Sequence, residues 1–243
     1  MTLLWAVSVQ KKDASIIDIF WGPACAAPAV ITYFMVDGAD PRALLLTVLA
    51  SIWALRLGVY LGVRNLPHGE DYRYQKMREK QGSDAAMARW SLPRVFWLQA
   101  TIAWFVSWPV QLGQYGAHGL GSLAFIGAGI FAVGLAFEAI GDWQLQQFKK
   151  DPANKGKLMT KGLWSWTRHP NYFGDAAVWT GLAIIALESP YGWWAVLSPA
   201  VMAFFLVAVS GKAMTERHMA TKYPEYADYK KRVSGFIPLP PKN

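Results

Sequence analysis

The feature that most constrains this chain is a succession of long apolar runs. Residues 16–36, 43–63, 92–112 and 120–139 are apolar almost throughout, and residues 173–187 and 193–209 form shorter runs of the same kind. About 18 to 20 such residues are needed for a helix to cross roughly 30 Å of hydrocarbon. In hydrocarbon every backbone N–H and C=O must be bonded within its own segment, so runs of this length read as helices. The sequence predicts an all-α polytopic membrane bundle with six full spans and a partial N-terminal span over residues 2–9. Composition agrees. Only 16% of residues are charged, against about 25% in soluble domains. The 13 Trp and 10 Tyr suit aromatic belts at a membrane surface. Residues 1–10 lack the basic leader and small-residue cleavage site of a signal peptide.

The net charge of +8 is distributed in a way that argues against nucleic acid. Lys and Arg crowd the 64–94 and 149–168 connections and the tail after residue 211, while the 114–119 and 188–191 connections carry none. Alternation of this kind is the positive-inside pattern. It places the basic connections and the C-terminus in the cytosol of a multi-pass protein, in a bacterial inner membrane or, for a eukaryote, the endoplasmic reticulum. Membrane lipids are the partners it implies, and the chain is expected to be a monomer.

Ionisable groups at membrane depth are costly and so mark candidate sites. Asp18 opens the first run, and Arg56 lies inside the second. Glu138 and Asp142 are one helical turn apart and share a face. Structural readings compete with functional ones here: an interfacial carboxylate for Asp18, and a paired or snorkelling cation for Arg56.

The most specific segment is Arg168-His169-Pro170-Asn171-Tyr172-Phe173-Gly174-Asp175. Pro170 suits the first position of a helix. A helix N-terminus with Arg168 and His169 beside it is a natural anion site. Gly174 permits close approach of a ligand or a neighbouring helix. A second cluster, Thr215-Glu216-Arg217-His218 with Tyr226, Tyr229, Lys230, Lys231 and Arg232, combines cations and phenols suited to a phosphate-rich ligand. The plainer reading of that tail is a basic helix on anionic headgroups.

These two segments, with the ending Phe236-Ile237-Pro238, resemble the C-terminal domain of the steroid 5α-reductase family. The signature is shared with the sterol C14- and Δ7-reductases and, more loosely, with isoprenylcysteine carboxyl methyltransferases. Asp18-Ile19-Phe20-Trp21-Gly22 and Gly69-Glu70-Asp71-Tyr72-Arg73-Tyr74 look like bacterial members of the 5α-reductase group. The resemblance implies a seven-helix bundle, a single integral domain over residues 1–243, with substrate-side helices in 1–112 and a cofactor-binding half in 120–243. It implies NADPH as cofactor and reduction of the C4–C5 double bond of a 3-oxo-Δ4 steroid or similar enone. Carried over residue by residue, it implies cofactor contacts at Glu138 (where the family has Asn), Asp142, Lys149, Arg168, His169, Asn171, Tyr172, Asp175, Arg217, His218, Tyr229 and Arg232. It implies carbonyl polarisation by Asp18 and Tyr60, with Glu70, Asp71 and Tyr72 next in line. Hydrogen-bond donors in a dry site stabilise the charge that hydride delivery puts on the oxygen. The competing enzyme class is a membrane methyltransferase using S-adenosylmethionine; that family shows a tail Glu-Glu where this chain has Thr215-Glu216.

Other chemistries lack support. Gly119-Leu-Gly-Ser-Leu-Ala124 fits a dinucleotide fingerprint only loosely, and it follows no strand. Small residues there, with Gly127 and Gly129, read instead as helix-packing positions. His68, His118, His169 and His218 show no ligand spacing, and Cys25 is the sole cysteine, so no metal centre is expected.

Overall fold

The structure, a computed structural model, describes residues 1–36, 40–116, 119–209 and 212–242. His118, counted above among the histidines, lies outside the described residues. Among those residues the regular elements are all helical, and the β-type pairing is one isolated bridge of Thr167 with Ser234. They divide into two compact units, one of residues 1–119 with 189–191 and one of 120–188 with 192–243.

The first unit contains α1 (Thr2–Lys11), α2 (Ile16–Ile19), α3 (Trp21–Met35), α4 (Pro41–Asn65), α5 (Tyr72–Gln81), α6 (Asp84–Ser91), a π-type turn at Leu92–Trp97, α7 (Leu98–Val106) and α8 (Trp108–Leu112). The second contains α9 (Ser122–Lys150), α10 (Pro170–Ala186), α11 (Gly192–Ala195), α12 (Leu197–Phe204), a π-type turn at Phe205–Val209, α13 (Lys212–Lys222) and α14 (Tyr226–Arg232).

Two stretches, Pro41–His68 and Ser122–Lys150, are long and apolar enough to cross a membrane. The other runs are helical but broken or shorter. The first is divided at Phe20, and its longer part carries Pro28 inside. The third is interrupted twice next to proline, by the π-type turn that includes Pro93 and by Ser107 two residues before Pro109. Proline removes a ladder N–H and disfavours helical geometry in the residue before it, so these breaks have a local cause. Helix α1 has 10 residues, about 15 Å at 1.5 Å per residue, too short to cross alone.

In the first unit, Arg42 is fully buried. Its guanidinium donates to the carbonyls of Gly113 (2.9 Å), Tyr115 (3.1 Å) and Gly116, and Asp40 lies 3.7 Å away. A cation on the last carbonyls after α8 satisfies acceptors that the helix itself leaves open. Arg42 is therefore a structural fastener as well as a charge in its connection.

The second unit is organised by an antiparallel α9–α10 hairpin. Gly127, Gly134 and Gly141 recur every seven residues on α9 and face Gly181, Gly174 and Pro170 of α10. A β-carbon at Gly134 would stand 2.6 Å from the Gly174 carbonyl oxygen, and one at Gly127 would stand 2.5 Å from that of Gly181. The backbones thus approach until only hydrogen fits between them. Gly127 meets the packing expectation. Gly129 does not: a β-carbon there would have nothing within 4 Å, because it lies off the shared face. The Glu188 carboxylate closes the open end of the hairpin, accepting from the amides of Gly121 (3.0 Å) and Leu123 (2.8 Å). It does for α9 what the missing side chain of Gly121 cannot.

Candidate functional site

The polar centre of the second unit sits where the loop after α9 enters α10. The loop is set by Trp164, whose indole N–H donates to the Gly141 carbonyl at 3.0 Å, and by Leu163, whose amide donates to Gln144 Oε1 at 2.9 Å. Arg168 and His169 follow and are buried. Arg168 donates through Nε and Nη2 to Glu216 Oε1 of α13 at 3.0 and 2.9 Å, and through Nη1 to the carbonyls of Lys230 and Val233. His169 Nε2 lies 3.3 Å from the same carboxylate oxygen, and its ring stacks on Tyr172 at 5.1 Å with 3° between planes. Tyr172 Oη is 3.4 Å from Thr215 Oγ1. One glutamate thus joins the loop, α10 and the tail.

The electrostatics follow from burial. Burial by itself would raise the Glu216 carboxyl, but hydrogen bonds from His169 and Arg168 outweigh it and hold the pKa at about 2. Burial lowers the His169 imidazole below its ordinary value, and the neighbouring Glu216 only partly offsets that. His169 is therefore neutral near pH 7, with Nε2 the donor, and Arg168 carries the charge. Because the folded carboxyl is depressed, Glu216 stabilises the fold fully above its ordinary value of 4.5 and loses that contribution as pH falls toward about 2. Thermal unfolding of the detergent-purified protein across that window should show a fall in stability that Glu216→Gln flattens; equal slopes in the two proteins would refute the linkage.

Nearby on the hairpin, Asn171 Nδ2 donates to Asp142 Oδ1 at 3.3 Å. Glu138 and Asp142 are both buried on α9, and Asp175 is half-buried one turn beyond Asn171. Lys149, Arg217, His218 and Arg232 are exposed. Tyr229 is placed differently from its expected neighbours. It is buried with Tyr226 and Val233, and its hydroxyl donates to the Trp164 carbonyl at 2.6 Å, so its proton fastens the loop. Among the expected residues the structure brings together Arg168, His169 and Tyr172 in one group and Asp142 with Asn171 in another. Sequence reasoning named Glu216 within the Thr215–His218 segment but gave it no role as a hub. Glu216 is the one carboxylate between Lys212 and Lys222, and that isolation among cations was the available signal.

In the first unit, Asp18 accepts from Tyr74 Oη at 2.8 Å and from Arg73 Nη2 at 2.7 Å. Gln99 Nε2 lies 3.4 Å from the same phenol. Burial first, and then the Asp18 charge, push the Tyr74 phenol well above its ordinary range. Tyr60 lies on α4 between two guanidinium groups, those of Arg56 and Arg64, each 5.3 Å from its ring centre. Arg56, the cation inside the second run, is thus in place over an aromatic face. Tyr74, which closes the Gly69–Tyr74 segment and was given no role from the sequence, is the phenol on Asp18. Of the residues next in line, Glu70 pairs with Arg78 at 2.8 Å and accepts from the Ala14 amide at 2.8 Å, and Asp71 pairs with Arg73 at 2.9 Å. Among the described residues no group of three or more His, Cys, Asp or Glu could hold a metal ion.

With this geometry in view, comparison with known proteins places the chain. A family described as a protein of unknown function, DUF1295, matches residues 4–233. The chain belongs to the DUF1295 family. A DUF1295 chain of this kind is similar to an uncharacterized protein of Schizosaccharomyces pombe, 25% identical over 274 residues that cover 97% of this chain and 76% of the relative. It also resembles the probable O-methyltransferase ustE of Ustilaginoidea virens, 46% identical over 63 residues. That second match spans 26% of this chain and 22% of the relative, a local likeness.

Proposed function

We propose that this DUF1295 protein is a membrane-embedded, NADPH-dependent reductase of a lipid-soluble enone, of the 3-oxo-Δ4 steroid type, with its basic connections in the cytosol. Six membrane crossings and a monomeric chain belong to this proposal; among the described residues α4 and α9 support it by being long and apolar enough to cross alone. The observation that carries it is the 2.8 Å hydrogen bond between the Tyr74 phenol and Asp18. The phenol's one proton is donated to Asp18 here; a bound carbonyl oxygen gaining charge would take that hydrogen bond over, leaving Asp18 paired with Arg73.

The second unit's residues fit the cofactor. Asn171 and Asp142 together offer a donor and an acceptor to a carboxamide, and exposed Lys149, His218 and Arg232 offer cations and a donor to phosphates. Arg168 and His169 take part by holding Glu216 and the tail. NADPH would supply a hydride to the β-carbon of the enone, and a proton then completes the α-carbon. Asp18 with Tyr74 polarises the carbonyl; Tyr60 is the phenol that this assignment displaces.

The second reading is an S-adenosylmethionine-dependent methyltransferase, favoured by the local likeness to the probable O-methyltransferase. One set of measurements separates the two. NADPH, and neither NADH nor S-adenosylmethionine, should raise the unfolding temperature of the detergent-purified protein. Progesterone or testosterone with deuterated NADPH should give a 5α-dihydro product labelled at C5. Asp18→Asn and Tyr74→Phe should each lower turnover on the order of 100-fold with NADPH stabilisation intact. Loss of turnover in Tyr60→Phe alone would restore Tyr60 to the role. Stabilisation and methyl transfer with S-adenosylmethionine would overturn the reductase reading.

A further inference from the structure

The second unit holds an open cleft of about 510 Å³ between α13 and α14, lined in part by Lys212, Arg217, Lys230 and Glu216 and by the apolar Val207 and Ala227. Its charges do not balance. Glu216 is the sole carboxylate on the wall, and it is already bound to the buried Arg168. Lys230 reaches it only at 3.6 Å. Lys212 and Arg217 have no carboxylate partner among the described residues. The cleft therefore offers surplus positive charge. Its apolar side is equally specific in origin. Val207 belongs to the last apolar run of the chain, at the point where that run gives way to the basic tail.

We infer that this cleft is a binding site for the phosphate headgroup of an anionic membrane phospholipid, with the start of its acyl region against Val207 and Ala227. Cations beside apolar surface, where a helix leaves the hydrocarbon, match both halves of such a molecule. A dinucleotide would find little here: Asp142, Asn171 and His169 are not part of the lining. The inference rests on the membrane placement proposed above and is independent of which cofactor the protein uses, although it gives Arg217 a different ligand from the one the family resemblance implies.

The test uses the full chain purified in detergent and titrated separately with phosphatidylglycerol, phosphatidylcholine, inorganic phosphate and NADPH, with native mass spectrometry and unfolding temperature as readouts. Phosphatidylglycerol should bind and stabilise, and phosphatidylcholine and inorganic phosphate should not. Lys212→Gln with Arg217→Gln should weaken phosphatidylglycerol binding about 25-fold, at about five-fold per cation lost near an anionic surface. Ala227→Trp, on an exposed position, should block the cleft without altering its charge and give the same loss. Undiminished phosphatidylglycerol binding in both variants would overturn the inference. So would equal stabilisation by inorganic phosphate, or by NADPH with the same dependence on Lys212 and Arg217, which would make the cleft a cofactor phosphate site. A chain recovered in soluble form without detergent would instead sink the membrane reading itself.

Discussion

Arg168→Ala should destabilise the protein by about 3–5 kcal/mol, the usual cost of removing one partner from a buried ion pair. Its side chain is 6% exposed and that of Glu216 is 11% exposed, so water cannot replace the lost partner. The truncation also strands the Lys230 and Val233 carbonyls, which Arg168 now satisfies. The tail should loosen first, because Arg168 holds α13 through Glu216 and the residues around α14 through those two carbonyls. Denaturant unfolding gives the magnitude. Limited proteolysis after residue 211 should accelerate in the variant. Arg168→Lys should not rescue it, since one ammonium cannot reproduce the forked contacts of a guanidinium. A variant with wild-type stability would show that the Glu216 hub is dispensable to the tail.

Gly174→Leu should break the hairpin, at a cost of about 3 kcal/mol or more from overpacking. The β-carbon alone would meet the Gly134 carbonyl oxygen at 2.5 Å and the Glu138 amide nitrogen at 2.6 Å, and backbone cannot step aside as a flexible side chain can. Asn171 and Asp175 on the same helix would shift with it, so NADPH stabilisation should fall together with stability. Gly129→Ala is the internal comparison. Nothing stands within 4 Å of that position, and replacing a mid-helix glycine gains roughly 1 kcal/mol of helix propensity. The two substitutions should move the unfolding temperature in opposite directions. A tolerated Gly174→Leu would mean that α9 and α10 pack less closely than described.

Much of this architecture was legible in the sequence, and what it did not show has identifiable physical reasons. Helix positions came from apolar runs, and Pro170 marked the start of α10 correctly because its ring presets the first-turn backbone. Continuity within the runs was harder to read. A hydropathy run does not register that Ser107 and Pro109, or Pro93, interrupt the hydrogen-bond ladder. The shared face of Glu138 and Asp142 followed from helical period alone. The partners of the charges did not. Asp18 meets Tyr74, which is 56 residues away along the chain, and no local pattern encodes that pairing. Tyr229 was read from the family resemblance and its place in a basic tail, and its burial with Tyr226 and Val233 is not encoded in that local pattern. Glu216 was visible as an isolated acid, but its role depends on Arg168, 48 residues earlier.

The clasp that Glu188 forms on the first turn of α9 has a consequence for how freely this protein can change. It ties the hairpin at the end remote from the connecting loop, while the glycine faces hold the middle and Trp164 with Leu163 hold the loop end. The covalent link over residues 151–157, short of Leu158 with its packing on the Tyr226–Tyr229–Val233 cluster, is then largely redundant for keeping the two helices in register. A segment relieved of that duty can lengthen, shorten or exchange its lysines, Lys155 and Lys157 among them, at little cost to the scaffold. Variation in loop length and charge among relatives should concentrate there, and the helix faces should stay nearly fixed.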